Sequence, residues 1–269
     1  ASVTIGSNAG WGADGSKTLT ARVTDVAGNV GTAGGGLAVT LDTAAPTAVV
    51  TTVAFSADTG ASSSDFITQT AAQTLSGTYS GTIAAGETLE ISLDNGSSWT
   101  AATTAAANVW SLTGQTLTDS NTLKARVTDT AGNSSTALSQ AYVLDTAAVT
   151  AVVTTVAFSA DTGASSSDFI TQTAAQTLSG TYSGTIAAGE TLEISLDNGS
   201  NWIAATTAAG GAWSLTGQTL TASNTLKARV TDPAGNSSAA LSQAYVLSTT
   251  APTVSTVAIT SATGTQNNT

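Results

Sequence analysis

Aspartate recurs at fixed places in this chain, within a stretch that is written three times. The stretch reads ARVTDVAGNV from Ala21, ARVTDTAGNS from Ala125 and ARVTDPAGNS from Ala228. Each copy places a carboxylate at the end of an alternating, strand-like segment, just before a Gly-Asn turn. The carboxylate can bind a hard cation or accept hydrogen bonds from the turn itself, and the motif alone leaves both interpretations open.

The residue inventory restricts the available chemistry to oxygen ligands. The chain contains no cysteine and no histidine, so it has no disulfide, no thiolate or imidazole metal ligand and no imidazole base. We therefore predict that it is not an enzyme. Seventeen acidic residues against six basic ones give a net charge of -11, which opposes nucleic acid and anionic membranes and favours cations. No apolar run is long enough to predict membrane insertion.

The elements that would position these carboxylates belong to a long internal repeat. Residues 47–149 align without gaps on residues 150–252, a period of 103 residues at which eleven positions differ. This divides the chain into the C-terminal part of a repeat at 1–46, complete repeats at 47–149 and 150–252, and the start of a further repeat at 253–269. We expect the chain to be a piece of a longer array.

Within one repeat the apolar residues alternate with period two. Leu89, Ile91 and Leu93 fall on one face, and Asn95-Gly96 supplies a hairpin turn. No stripe with helical spacing is present, so no helix is predicted. The pattern predicts seven strands per repeat, near 48–55, 73–79, 88–94, 98–104, 109–117, 121–128 and 136–144.

Seven strands in about a hundred residues predict an all-β fold of tandem immunoglobulin-like sandwich repeats, arranged end to end. An odd number of strands makes the chain enter a sandwich at one end and leave at the other. The bottom of one repeat then meets the top of the next. In the usual strand order, four carboxylates converge between the complete repeats: Asp58, Asp65, Asp145 and Asp232.

Converging carboxylates repel one another unless a cation lies between them. Calcium suits a site built from loops, because it accepts six to eight oxygen ligands in loose geometry. Calcium is therefore the predicted cofactor, and Glu87 and Glu190 are weaker candidate ligands. The same strand order places Glu90 beside Arg126 on the outer face of a sheet and predicts an ion pair between neighbouring strands.

Three motifs carry a resemblance that covers essentially the whole chain: LDTAAPT at 41–47, SADTGASSSDFIT at 56–68 and VTDTAGNSS at 127–135. They resemble the tandem bacterial Ig-like repeats of giant secreted adhesins and biofilm-associated proteins. In that family such repeats form calcium-rigidified stalks. By motif match, the resemblance implies nine metal ligands: Asp25, Asp42, Asp58, Asp65, Asp129, Asp145, Asp161, Asp168 and Asp232.

The chain departs from these relatives in places. Ala57, Gln69 and Thr70 stand where relatives often carry further acidic or amide residues, and Ser248 replaces the linker aspartate after the second complete repeat. Both departures predict weaker or fewer sites.

The resemblance favours a stalk or spacer of an extracellular bacterial adhesin, stiffened by calcium at repeat junctions and located at the cell surface. Its partners would be neighbouring repeats and, through other domains, a host surface or biofilm matrix. A binding module for glycans or proteins is an alternative, for which tryptophans would supply stacking platforms, although core packing explains them more simply. An accessory segment of a secreted enzyme is another alternative.

Overall fold

The computed structural model describes residues 10–32 and 34–256. By internal contacts the chain divides into two units, Ala1–Thr146 and Ala147–Thr269. Apart from one 3₁₀ turn at Ala106–Asn108, every regular element in the described part is a β-strand. The all-β fold class is confirmed. Most of the predicted start of a further repeat, 253–269, lies outside the described residues.

The first complete repeat forms two facing sheets. One has the order β3-β6-β10-β9, with β4 also pairing with β6, and the other has the order β5-β12-β11-β7-β8. The strands are β3 (Val49–Val50), β4 (Ala54–Phe55), β5 (Ile67–Thr68), β6 (Ala72–Ser80), β7 (Thr88–Ser92), β8 (Thr100–Ala101), β9 (Thr103–Ala105), β10 (Val109–Thr116), β11 (Asn121–Thr128) and β12 (Leu138–Leu144).

The second complete repeat has the same layout. Its sheets have the orders β13-β15-β19-β18 and β14-β21-β20-β16-β17. The strands are β13 (Val152–Phe158), β14 (Ile170–Thr171), β15 (Ala175–Ser183), β16 (Thr191–Ser195), β17 (Ile203–Ala204), β18 (Thr206–Ala208), β19 (Ala212–Thr219), β20 (Asn224–Thr231) and β21 (Leu241–Leu247).

The N-terminal segment contributes a two-stranded antiparallel sheet of β1 (Gly15–Leu19) and β2 (Leu37–Leu41). Its TDVAGN stretch follows the same path as in the complete repeats, because an isolated bridge joins Thr24 to Val30 as another joins Thr128 to Ser134.

The alternating residues of the strands supply one core in each repeat. The side chains of β11 point alternately outward and into the core, and Leu123, Ala125 and Val127 are fully buried. Trp110 from the opposite sheet is 2% exposed and faces Gly77 on the neighbouring strand. The two sheets therefore close over a continuous apolar layer, as period-two patterning requires.

The strand predictions hold with three local differences. The predicted strand at 48–55 is interrupted, because β3 and β4 are separated by residues 51–53, although its copy β13 is continuous. The predicted strand at 98–104 is split, because β8 pairs with β7 in one sheet and β9 pairs with β10 in the other. The segment thus crosses between sheets within a few residues. Strand β5 was not predicted; it is two residues long and pairs in parallel with β12, and so short a strand has no periodicity to detect.

Candidate functional site

The loop between β4 and β5 positions the first candidate ligand of each complete repeat. The Asp58 Oδ2 atom accepts a hydrogen bond from the Phe66 backbone N–H at 3.0 Å. Phe66 adopts a positive φ of 62°, a strained conformation for a bulky residue. Its ring packs edge-on against Phe55, with 5.1 Å between centroids. Apolar packing therefore stabilises a backbone shape that turns this amide toward the carboxylate.

The other oxygen of the Asp58 carboxylate accepts no hydrogen bond from the described residues. The Asp58 Oδ1 atom is buried, and no donor among the described residues bonds to it; the same holds for Asp161 Oδ1 in the second repeat. A buried acceptor without a hydrogen bond costs free energy. A cation bound to this oxygen would remove that cost, so the loop chemistry fits calcium at this atom.

The neighbouring aspartate in each loop has a local role. The Asp65 Oδ1 atom accepts from the Ile67 N–H, and the Asp168 Oδ1 atom accepts from the Ile170 N–H, both at 3.1 Å. Both carboxylates are exposed. Each one forms an Asx turn that leads the chain into the short strand β5 or β14.

The aspartates before the Gly-Asn turns bind their own loops. The Asp129 carboxylate accepts from the Ala131 N–H, the Asn133 N–H and the Asn133 side-chain amide, at 2.9 Å each. Asp25 accepts three equivalent bonds from its turn, and Asp232 accepts from both nitrogens of Asn236. The turn interpretation of the motif is thus confirmed.

These bonds alter the acidity of the groups. The side-chain amide of Asn133, followed by its backbone N–H, lowers the pKa of Asp129, and Asn29 lowers the pKa of Asp25 in the same way. A carboxylate offers about four lone-pair positions. Three are taken at Asp129, which leaves little room for a cation, and its role as a ligand stays a prediction.

The linker aspartates bond to the loops beside them. The Asp42 carbonyl accepts from the Asn133 side-chain amide at 3.1 Å, and the Asp42 Oδ1 atom accepts from the Ala44 N–H. The Asp145 N–H donates to the Thr68 carbonyl at 2.9 Å, and the Ser248 N–H donates to the Thr171 carbonyl at the same distance. The change from Asp145 to Ser248 therefore leaves the backbone connection intact.

Residues 10–32 and 34–256 contain no group of three or more acidic side chains that could hold a metal ion. Glu87 and Glu190, the weaker candidates, accept from backbone N–H groups of their own turns, at 2.9 and 2.8 Å. The assignment of the nine aspartates as calcium ligands accordingly stays a prediction.

The four tryptophans of the complete repeats are engaged within the fold. Trp110 and Trp213 are 2% and 3% exposed and belong to the cores. The guanidinium of Arg126 lies 3.9 Å from the Trp99 ring centroid, and Arg229 lies at the same distance from Trp202. One face of each outer ring is therefore covered by a cation, which disfavours stacking on sugars.

The predicted ion pair between strands is confirmed. The Arg126 Nη2 atom lies 3.3 Å from the Glu90 Oε2 atom, and these residues are direct neighbours across β11 and β7. The copy in the second repeat, Arg229 with Glu193, measures 3.1 Å.

A cluster at the β7–β8 hairpin was not singled out from the sequence. The Ser92 hydroxyl donates to the Asp94 Oδ1 atom at 2.7 Å, and the Ser98 backbone N–H donates to the same oxygen. The Ser92 hydroxyl, ahead of the Ser98 groups, lowers the pKa of Asp94. In the second repeat, Asn201 lowers the pKa of Asp197 to about 2. The sequence signal is Ser-x-Asp-x-Gly, in which a buried serine precedes the turn.

The family model of the Bacterial Ig-like domain matches this chain twice, at residues 45–146 and 148–249. The chain belongs to the Bacterial Ig-like domain family. Its two Bacterial Ig-like domains are tandem copies, each with the two sheets described above. No curated protein sequence matches the chain.

Three solved structures similar to these Bacterial Ig-like domains come from bacterial proteins named for adhesion, for fibronectin(III)-like modules or for biofilm association. A structure from work on the host cell surface retention of a 1.5-MDa bacterial ice-binding adhesin is 20% identical, covers 84% of this chain and 71% of its own, and gives a TM-score of 0.33. Fibronectin(III)-like modules of Clostridium thermocellum CbhA are 14% identical, with a match that covers 73% of this chain and 94% of theirs and a TM-score of 0.39. A biofilm associated protein BSP domain is 14% identical, with a match that covers 69% of this chain and 29% of its own and a TM-score of 0.24.

In the described part of the chain, no helix is long and apolar enough to cross a membrane.

Proposed function

We propose that this segment is a spacer or stalk of an extracellular bacterial adhesin, in which Bacterial Ig-like domains hold a binding domain away from the cell. The observation that carries the proposal is the near-identity of two complete sandwiches. They share the core, the ion pair and the Arg–Trp stack, while their differences include loop and linker positions such as Asp119 and Asp145. A spacer requires a number of similar units, whereas a specific binding site gains from individuality.

The sequence motifs shared with repeats of giant adhesins support the same function and an extracellular location. The partners would then be neighbouring repeats of the chain and, through domains elsewhere, a host surface or biofilm matrix. The absence of histidine and cysteine from the sequence supports a role without enzymatic chemistry.

Calcium is the second part of the proposal. We place it first at the Asp58 and Asp161 loops, because each has a buried carboxylate oxygen to which no described donor bonds. Asp65 and the linker residue Asp145 would add ligands beside the Asp58 loop, and Asp168 would add one beside the Asp161 loop. When bound, calcium would supply charge neutralisation and restrict the loop that leads into the linker.

Small-angle scattering of the 269-residue chain tests both parts separately. We expect an elongated particle whose maximum dimension increases when calcium replaces a chelator. An elongated particle with the same dimension in both conditions would remove calcium stiffening but leave the spacer. A compact particle in both conditions would overturn the spacer itself.

Calorimetric titration with calcium tests whether Asp58 and Asp161 bind the ion. Asp58→Asn combined with Asp161→Asn keeps the shape of the side chains but removes their charge, so it should abolish or strongly weaken binding. Asp119→Asn is the matched control, because Asp119 caps the Ser120 N–H in a different loop and the second repeat already has alanine there. Unchanged affinity in the double variant would exclude these loops as the calcium site.

A binding module remains testable on a glycan array. The covered tryptophan faces predict no specific signal from this chain, and reproducible binding to one glycan class would contradict the spacer proposal.

A further inference from the structure

Each complete repeat has an Asn-Gly dipeptide at the tip of a hairpin. Asn95-Gly96 lies between β7 and β8, and Asn198-Gly199 lies between β16 and β17; both asparagines are exposed. Asn-Gly sequences are chemically fragile, because glycine has no side chain to hinder attack by its backbone nitrogen on the preceding side-chain amide. An exposed copy in each complete repeat is therefore a potential site of spontaneous chemical change.

The reaction is deamidation through a cyclic imide. The Gly96 nitrogen loses its proton and forms a bond to the Asn95 Cγ atom, while the Cγ–N bond of the side-chain amide breaks and ammonia leaves with a proton. Water then adds to either carbonyl of the ring and opens it to aspartate or isoaspartate. The balance is one water consumed and one ammonia released, with no oxidant or reductant.

The fold restrains the nitrogen that would have to attack. The Gly96 N–H donates to the Ser92 Oγ atom at 2.7 Å, and Ser92 is 1% exposed. The same hydroxyl donates its own proton to the Asp94 Oδ1 atom at 2.7 Å. The hydroxyl is therefore oriented to accept, and the Gly96 proton lies in a bond shielded from solvent base.

Further contacts fix the orientation of the turn. The Gly96 carbonyl accepts from the Trp99 indole N–H at 3.1 Å, and the Asn95 N–H donates to the Thr122 carbonyl at 3.0 Å. Asn95 and Gly96 have φ values of 59° and 94°. Rotation of the Gly96 peptide toward the Asn95 amide would break the bond to Ser92.

The second repeat repeats the arrangement. The Gly199 N–H donates to the Ser195 Oγ atom at 2.8 Å, and that hydroxyl donates to the Asp197 Oδ1 atom at 2.7 Å. Ser195 is fully buried, and the φ values of Asn198 and Gly199 are 63° and 95°.

We propose that Asn95-Gly96 and Asn198-Gly199 are latent deamidation sites, and that the buried hydroxyls of Ser92 and Ser195 keep them unreactive in the folded repeats. The protection is lost when the hydroxyl is removed or the hairpin opens. Conversion to isoaspartate would then insert an extra backbone carbon into the turn between β7 and β8, or between β16 and β17, and disturb the pairing of that hairpin.

The test is prolonged incubation of Ser92→Ala in the full chain, followed by peptide mass spectrometry. Losing one hydrogen bond should raise deamidation at Asn95 about 2- to 10-fold, which is the population change that such a bond controls. Asn198 is the control within the same molecule, because Ser195 is intact. The two peptides are distinguishable, since Ser98 in the first repeat is Asn201 in the second. Ser195→Ala should reverse the pattern.

A variant that destabilises the repeat elsewhere separates local from global opening. Val127→Ala removes core volume on β11 and leaves the turn unchanged. At equal loss of stability, it should therefore raise the rate of deamidation at Asn95 less than Ser92→Ala does. Equal acceleration, or no acceleration in Ser92→Ala, overturns the proposal.

Should Ser92→Ala fail to fold, hydrogen exchange in the unaltered chain decides. The Gly96 amide must exchange more slowly than the Ser97 amide, whose bond to the Asp94 carbonyl is 3.3 Å long at an exposed residue. Exchange at the same rate would show that the hydroxyl gives no protection.

Discussion

The two complete repeats form the same turn with different residues, between β9 and β10 in the first repeat and between β18 and β19 in the second. In the first repeat, Ala107 and Asn108 adopt positive φ values of 63° and 57°; in the second, Gly210 and Gly211 adopt 82° and 76°. Alanine in this conformation is strained, whereas glycine is not. The backbone path is thus set by the sandwich, and the residues either fit it or bear the strain.

Elsewhere the repeats reproduce one another closely. The ion pairs measure 3.3 and 3.1 Å, both Arg–Trp distances are 3.9 Å, and Phe66 and Phe169 have φ values of 62° and 60°. The shared geometry indicates that stability differences between the repeats arise at the positions where their residues differ, most of which lie in turns and linkers.

The largest effect is expected at the glycine opposite the core tryptophan. A Cβ atom at Gly77 would lie 2.0 Å from the Thr52 carbonyl oxygen, and one at Gly180 would meet Thr155 at the same distance. Gly77→Ala should destabilise the first repeat by about 3 kcal/mol, the upper range for overpacking. Calorimetry should show a split unfolding transition, with the second repeat unaffected, and Gly180→Ala should give the mirror result.

Ser76→Ala, at the exposed residue next to Gly77, is the control and should change stability very little. One unsplit transition that shifts as a whole would contradict the independence of the two repeats.

The second effect is expected at the strained turn itself. Ala107→Gly should stabilise the first repeat by about 1 kcal/mol, and Gly210→Ala should destabilise the second by about the same amount. A Cβ at Gly210 meets no atom within 4 Å, so conformation alone accounts for the change. Chemical denaturation of both variants measures it, and shifts of the same sign would refute the strain argument.

The third effect concerns the ion pairs. Double-mutant cycles with alanine at Glu90 and Arg126, and at Glu193 and Arg229, should each give a coupling of about 0.2–1 kcal/mol, because these side chains are partly exposed. The two values should agree and should fall with added salt. A clear difference between repeats would mean that the surroundings of the pairs differ more than their geometry does.

The smallest effect is on acid titration of the hairpin turns. The folded-state pKa of Asp197 lies at about 2, below the ordinary 3.8, because Asn201 donates to its carboxylate from the backbone and the side chain. A lowered pKa stabilises the fold above pH 3.8, and this contribution is lost as pH falls from there toward 2. Asn201→Ala should raise the pKa, as carboxyl NMR titration can measure.

Asp94 is the internal comparison for this titration. Its pKa is also lowered, chiefly by the Ser92 hydroxyl, so it should not respond to Asn201→Ala. A response at both residues would point to a general change in charge rather than to the hydrogen bond.

Much of the architecture could be predicted because the core strands alternate regularly. Strand β11 was predicted at 121–128, where it lies, and its outward face led to the Glu90–Arg126 pair. Strand β5 and the switch between β8 and β9 were missed, because they depend on long-range pairing and not on local pattern.

The candidate site was harder to predict for a similar reason. An aspartate before Gly-Asn has the same sequence whether it binds a cation or its own turn, and only the hydrogen bonds to Asn133 settle the turn role for Asp129. The leftover oxygen of Asp58 is a property of packing: Phe66 must take a positive φ before one oxygen is bonded and the other enclosed.

The parallel pairing of β5 with β12 has a mechanical consequence. Strand β12 leads directly into the linker, and the Val143 and Asp145 N–H groups donate to the Phe66 and Thr68 carbonyls. Tension on the linker would pull β12 along its own axis and load these bonds together in shear, rather than opening them one by one like a zipper. We expect a high rupture force in single-molecule pulling, and Thr68→Pro, which distorts this two-residue strand, should lower it.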